Sequence, residues 1–181
     1  MTATTRQIAL LRGINVGRNR RVGMAELRSV LGGLGYGDVR THLQSGNVLL
    51  TSDVSGKALE QRLEQGLSAR LGLELKVLVR SRAELAKVIA RDPLGDVADN
   101  PSRYVVTFLA RKLEPKAVRE LAALAVPPEQ FAAAGRELYT WHPDGIRNSE
   151  LAGVLAGRRL GVTATARNWN TVKKLLELAD A

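Results

Sequence analysis

The residues best suited to hold a charged group lie in a glycine- and arginine-rich segment near the start of the chain. A strand-like apolar run ends in Arg12, Gly13, Asn15 and Gly17, and three more arginines follow within four residues. Glycine exposes backbone N–H groups, and one arginine can bind two oxygens of a phosphate or carboxylate at once. We name residues 12–17 the Gly-Asn loop and predict that it binds an anion.

The spacing of these glycines matches neither of the common nucleotide loops. It fits neither G-x-G-x-x-G, the dinucleotide fingerprint, nor G-x-x-x-x-G-K-[ST], the phosphate loop of many ATPases. The sequence therefore predicts an anion site and no particular cofactor. The alternative is that the glycines only shape a long connection and that the arginines are solvated.

A second segment, residues 44–47, carries Ser45 and Asn47 on either side of a glycine. Glycine tolerates the positive φ of a tight turn, so this Ser-Gly-Asn hairpin is predicted to join two strands. Ser45 and Asn47 either satisfy the turn itself or face a ligand.

A third segment, residues 167–170, places Arg167, Asn168 and Asn170 around a tryptophan at the predicted start of a helix. We name it the Arg-Asn-Trp-Asn segment. Asn168 shares a helical face with apolar residues further along, so its amide is predicted to point inward and to need hydrogen-bond partners. Those partners are backbone groups of another loop, or a ligand favoured by the helix dipole.

We expect the three segments to converge on one cleft lined by glycine, asparagine and arginine. Arg12 and Arg167 would supply positive charge, and the asparagines would orient a bound nucleotide, phosphate or carboxylate. One alternative is an enzyme acting on a small phosphorylated metabolite, which needs an acid or base such as Glu26 beside the cleft. Another is that the three segments are purely structural.

Four aromatic residues indicate a different partner. Tyr104 and Phe108 share one face of a predicted strand, and Tyr139 and Trp141 share one face of another. RNA-recognition domains stack bases on aromatic side chains of such a sheet. If the four rings are exposed, this face would bind RNA or single-stranded nucleic acid; if they are buried, they belong to a core.

The composition limits the chemistry and the partners. None of the 181 residues is cysteine, which excludes disulfides and thiol catalysis, and two histidines leave little for a metal site, so no metal is expected. The net charge is +9, and the first 40 residues hold seven basic and two acidic side chains. This excess favours anionic partners, although twenty arginines against seven lysines also suit a GC-rich genome.

The sequence shows no signal for export or for insertion in a membrane. No apolar run approaches the ~20 residues of a membrane span. The first residues lack the charged start and apolar core of a signal peptide. We expect a cytoplasmic protein without a membrane partner, and the oligomeric state is left open.

The elements that must position these residues form two similar halves. The periodicity predicts the order β-α-β-β-α-β, the ferredoxin-like plan, with strands at 7–11, 39–44, 47–51 and 74–80 and helices at 24–34 and 55–70. The order recurs with strands at 103–110, 129–134, 137–142 and 162–165 and helices at 114–123 and 149–158.

A helix at 81–91 and a proline- and aspartate-bearing linker at 92–101 separate the halves. An extra C-terminal helix is predicted at 168–179. The predicted fold class is therefore α+β, with ferredoxin-like subdomains at 1–80 and 102–181 joined by residues 81–101.

Several of these motifs resemble the DUF1697 family. They are Leu-Leu-Arg-Gly-Ile-Asn-Val-Gly at 10–17, Gln-Ser-Gly-Asn-Val at 44–48 and Thr-Ala-Arg-Asn-Trp-Asn-Thr-Val at 165–172. The resemblance implies a soluble bacterial protein of unassigned function with two ferredoxin-like subdomains, and it brings no catalytic residues. His42 stands where members commonly have an aromatic residue such as tyrosine, which argues against a family-wide role for that imidazole.

Overall fold

The computed structural model describes residues 3–18 and 21–181. Along this part of the chain the elements are β1 (Thr5–Arg12), α1 (Met24–Gly33), β2 (Gly37–His42), β3 (Asn47–Ser52), α2 (Gly56–Leu71), β4 (Lys76–Ser81), α3 (Arg82–Arg91), β5 (Tyr104–Leu109), α4 (Pro115–Leu124), β6 (Gln130–Ala134), β7 (Glu137–Trp141), α5 (Glu150–Ala156), β8 (Ala164–Asn168) and α6 (Trp169–Asp180). None of the helices in these ranges is long and apolar enough to cross a membrane.

The chain divides into two compact units. The first comprises Met1–Ala86 with Leu175–Ala181, and the second comprises Lys87–Lys174. Each contains a four-stranded antiparallel sheet, in the order β2-β3-β1-β4 or β6-β7-β5-β8. The fold is α+β with two ferredoxin-like subdomains, and α6 is the extra C-terminal helix. The division falls inside α3, so this helix contributes residues to both units.

The core of the first unit lies between one face of its sheet and helices α1 and α2. The alternate β1 residues Ala9 and Leu11 point to this face, as the period of a strand requires. Helix α2 contributes Leu59, Leu63 and Leu67, which are spaced four apart along one side. This packing fixes the end of β1, from which the Gly-Asn loop starts.

The last strand of each unit ends in an arginine followed by a capping residue. Strand β4 ends in Arg80 and Ser81, and β8 ends in Arg167 and Asn168. Ser81 Oγ and Asn168 Oδ1 each accept a hydrogen bond from the backbone N–H three residues ahead, at 3.1 and 3.0 Å. Each polar residue thus caps the following helix, so α3 and α6 are equivalent elements of a repeated β-α-β-β-α-β-α plan.

The end of the second unit differs from the prediction. Strand β8 covers Ala164–Asn168 and not 162–165, because it pairs with β5 as far as the Val105–Asn168 pair. Asn168 is therefore the end of a strand and the cap of α6, and its predicted place on the inward face of the helix is wrong. The apolar residues of β8 are two small alanines, Ala164 and Ala166, so the sequence signal for the strand is weak and the pairing with β5 defines it.

Candidate functional site

The Gly-Asn loop is held closed by its own asparagine. Asn15 Nδ2 donates to the backbone oxygens of Val22 and Gln44 at 2.9 and 3.0 Å, and Asn15 Oδ1 accepts from the backbone N–H of Val22 at 2.7 Å. These bonds engage the amide that was predicted to orient a ligand. Gly13 and Gly17 have φ values of 90° and 66°, which glycine adopts without strain, so both shape the loop.

The structure brings the Ser-Gly-Asn hairpin against the Gly-Asn loop. The backbone N–H of Leu11 donates to the oxygen of Gly46 at 2.8 Å. A Cβ atom on Gly46 would lie 2.7 Å from Cγ2 of Ile14 and 2.8 Å from Cβ of Leu11. The two segments therefore lie against each other, and the absence of a side chain at Gly46 permits this close approach.

The polar side chains of the hairpin close the turn itself. Asn47 is fully buried, and its Nδ2 donates to the backbone oxygen of His42 at 2.8 Å and to Oγ of Ser45 at 3.0 Å. A polar group that is removed from water needs such partners. Of the residues predicted to bind an anion in the first unit, Asn15, Ser45 and Asn47 therefore stabilise the backbone. Arg12 is the one of that set that carries a positive charge.

The Arg-Asn-Trp-Asn segment combines a core residue with polar residues. The Trp169 ring is 8% exposed and stacks on Tyr104, with ring centroids 4.6 Å apart. Asn170 is exposed, and its Nδ2 donates to Oγ of Ser102 at 3.2 Å. Asn168 is half-buried, and because its oxygen caps α6, its NH₂ group is the donor available for a ligand.

A cavity of about 350 Å³ lies beside β8 in the second unit. Its lining contains two arginines, an asparagine, a serine and a histidine together with small and aliphatic residues, namely Ser102, Arg103, Val105, His142, Gly145, Ile146, Ala166, Arg167 and Asn168. No carboxylate of the described residues is part of this lining. The cavity therefore has a positive side and an apolar side.

Arg103 is the most accessible cation of this cavity. It immediately precedes β5, and its side chain is exposed. One guanidinium nitrogen, Nη1, donates to the backbone oxygen of Pro143. A guanidinium carries five N–H donors in a planar fork, so this anchored side chain retains donors for a phosphate or carboxylate.

Arg167 lies on the edge strand of the sheet, beside the cavity. Its side chain leaves β8 on the face opposite to Ala166 and Asn168, because side chains alternate along a strand. Arg167 Nη1 donates to Oγ1 of Thr165 at 2.7 Å and to the backbone oxygen of Ala166 at 2.8 Å. Burial lowers the pKa of Arg167 to about 10, so the guanidinium is still charged at neutral pH.

His142 forms a buried part of the cavity wall. Its Nδ1 lies 2.8 Å from Oε1 of Glu129, and its Nε2 lies 2.8 Å from Oγ1 of Thr140. Both ring nitrogens are thus engaged within the protein. The imidazole supports the wall and does not present a nitrogen for proton transfer to a ligand.

The four aromatic residues belong to the core, so the alternative of an exposed face that binds nucleic acid is wrong. Tyr104, Phe108, Tyr139 and Trp141 are at most 6% exposed. The Tyr104 ring is covered by its stack on Trp169, and the Tyr139 hydroxyl donates to a buried backbone oxygen at 2.9 Å. These rings cannot stack on bases without unpacking the unit, because they are buried within it.

The buried tyrosines give the protein a predicted alkaline limit. Burial raises the pKa of Tyr139 from 10.0 to about 12, and it raises the pKa of Tyr104 and Tyr36 as well. Above pH 10 the unfolded chain releases these protons first, so the contribution of the tyrosines to the free energy of unfolding should be constant below pH 10 and fall as the pH rises toward 12.

Urea unfolding at successive pH values, combined with the ultraviolet absorbance of tyrosinate, measures this effect. Tyr139→Phe should reduce the slope of stability against pH above 10.0. Tyrosinate absorbance that appears in the folded protein at the pH typical of free tyrosine would contradict the prediction.

Sequence reasoning missed the cavity residues that come from the ends of β5 and β7. Arg103 and His142 lie 39 residues apart in the sequence, and neither stands in a conspicuous motif. Their contact through the backbone, where His142 N–H donates to the oxygen of Arg103 at 3.1 Å, follows from strand pairing. No group of three metal-ligating side chains comes together within residues 3–18 and 21–181.

Comparisons with known proteins agree with this architecture. A family model described as "Protein of unknown function (DUF1697)" matches residues 4–139, which include the Gly-Asn loop and the hairpin and end before the Arg-Asn-Trp-Asn segment. A conserved bacterial protein from Streptococcus pneumoniae has a similar structure, with a TM-score of 0.76 and 23% sequence identity over 98% of this chain and 99% of that chain. At this identity the likeness shows the fold alone. No curated protein matches the sequence.

Proposed function

Since the chain belongs to the DUF1697 family, whose function is unknown, we propose from the geometry of its cavity that it binds a small anion beside β8. The observation that carries this proposal is the presence of Arg103 and Asn168 in a lining that has no carboxylate among the described residues. A phosphate or carboxylate group fits the fork of Arg103, and the Asn168 amide fixes its orientation.

The apolar side of the cavity limits the kind of anion. Val105, Ala166 and Ile146 face the same space as the polar groups, and Ile146 is 60% exposed at its rim. A ligand with an anionic group and an apolar body would cover Ile146 and satisfy Arg103 at the same time. Arg12 belongs to the first unit and Arg167 to the second, and their convergence on one ligand stays a prediction.

Titration calorimetry with inorganic phosphate, adenosine monophosphate and benzoate tests the proposal. We expect at least one of these probes to bind the wild type, and Arg103→Gln to weaken that binding by about 10- to 100-fold, because a hydrogen bond to a charged group is lost. Asn168→Ser keeps a helix cap and should weaken binding by about tenfold or less.

The matched control is Arg119→Gln, which removes the same charge from an exposed position on α4 outside the cavity. The affinity of this variant should stay close to that of the wild type, with only the small decrease that a lower net charge causes. An equal loss with Arg103→Gln and Arg119→Gln, or no binding of any of the three probes, would contradict an anion site in this cavity.

A further inference from the structure

Two exposed aliphatic side chains lie on neighbouring turns of the first unit. Val16 in the Gly-Asn loop is 57% exposed, and Leu43 at the hairpin is 55% exposed. Their chain neighbours Asn15 and Gln44 are joined by a hydrogen bond of 3.0 Å between Nδ2 and the backbone oxygen. We name Val16, Leu43 and the two turns that carry them the tip.

Leu43 has an unfavourable backbone conformation in addition to its exposure. Its φ is 61°, in the left-handed region that a bulky residue rarely adopts and that glycine or asparagine adopts easily. Packing does not explain the residue, since more than half of its surface faces water. Strain and exposure at one residue indicate a role in contact with a partner.

The tip is a rigid surface. The three hydrogen bonds of Asn15 close one turn, and the close approach of Gly46 to Ile14 locks the other against it. Both turns are anchored to paired strands, since Leu10 pairs with Asn47 and His42 pairs with the same residue. A partner would therefore bind with little ordering of the loops.

The surroundings of the tip are strongly basic. Residues 12–28 contain five arginines, one glutamate and no lysine. Arg18 and Arg21 are exposed, and Arg28 is tied to the hairpin strand by a bond of 2.6 Å from Nη1 to Oγ1 of Thr41. Arg20 lies outside the described residues. Together with a sequence pI of about 10.5, this is the charge pattern of a nucleic-acid-binding surface.

We propose that the tip binds duplex DNA, with the arginines on the phosphates and Leu43 and Val16 as apolar contacts in the groove. Minor-groove proteins combine arginine with inserted aliphatic side chains in this way. Residues 12–23 and 40–47 contain no phenylalanine, tyrosine or tryptophan, which binding to single strands normally uses for stacking. The proposal concerns the first unit and is independent of the cavity in the second.

Fluorescence anisotropy with a labelled DNA duplex at several salt concentrations tests this proposal. The wild type should bind with an affinity that falls steeply with salt. Arg18→Gln and Arg21→Gln should each reduce the slope of log affinity against log salt by about 0.9, the value for one phosphate contact.

Leu43→Asn separates binding from folding, because asparagine tolerates the left-handed conformation. Its thermal midpoint should equal or exceed that of the wild type, while its affinity for the duplex falls about tenfold. Val16→Ser should act in the same direction. The control Val126→Ser removes an aliphatic side chain that is 66% exposed in the second unit, and it should leave binding unchanged.

Three results would overturn the proposal. The first is the absence of an anisotropy change with the duplex. The second is binding that Leu43→Asn and Val16→Ser retain at full strength, which would show non-specific attraction of a basic protein. The third is tighter binding to single-stranded RNA or to vesicles with phosphatidylglycerol than to the duplex.

Discussion

The Gly46→Ala variant is expected to lose about 2–4 kcal/mol of its free energy of unfolding. Gly46 has a φ of 81°, which costs an alanine strain energy. The new Cβ would also lie within 2.8 Å of two side-chain atoms, from Ile14 and Leu11. The hairpin would have to move away from the Gly-Asn loop and weaken the bond from Leu11 N–H to the Gly46 oxygen.

Urea unfolding followed by circular dichroism measures this loss. The matched control is Gly35→Ala in the same unit, because Gly35 has a φ of 93° and a Cβ atom added there would meet no atom of the described residues within 4 Å. The control should lose about 1 kcal/mol from strain alone. Equal losses in the two variants would show that the hairpin and the loop do not need their close contact.

The Trp169→Ala variant is expected to lose about 3–5 kcal/mol, the usual cost of deleting a large buried aromatic side chain. Trp169 is 8% exposed and stacks on Tyr104 with an angle of 22° between the rings. Its removal leaves a cavity beside a second ring that has lost its neighbour. Trp169→Phe keeps a ring in the stack and should lose less than half as much.

Asn170→Ala is the control within the same segment. Its side chain is exposed and makes one hydrogen bond to Ser102, so its loss should stay below about 1 kcal/mol. A loss from Trp169→Ala as small as that from Asn170→Ala would contradict a core role for the tryptophan. Unfolding followed by circular dichroism compares the three variants without relying on tryptophan emission.

The Gly46→Ala and Trp169→Ala variants test whether the conspicuous motifs stabilise the fold. Asn15, Gly46 and Trp169 each hold their own unit together, through hydrogen bonds, a close backbone approach or ring packing. A recognisable motif can therefore consist of residues that stabilise the fold, and not only of residues that contact a ligand. Arg103 and Leu43, which we propose to contact ligands, stand outside or at the edge of these motifs.

The order of the strands and helices could be predicted from the sequence because it depends on residues that are close together in the chain. Leu59, Leu63 and Leu67 repeat every four residues and define one side of α2. Ser45 and a following glycine mark the turn between β2 and β3. Such signals lie within a few residues of one another, which made the repeated α+β plan predictable. The structure confirms this plan.

Only the tertiary structure decided which residues are covered and which meet. A strand shows two faces with the same alternation, so the pattern of Tyr104 and Phe108 could not tell an exposed aromatic face from a buried one. Strand pairing with β5 made Asn168 a cap, and it placed Arg103 and His142 in one cavity. These outcomes depend on residues far apart in the chain, and the energy of such contacts has no local sequence signal.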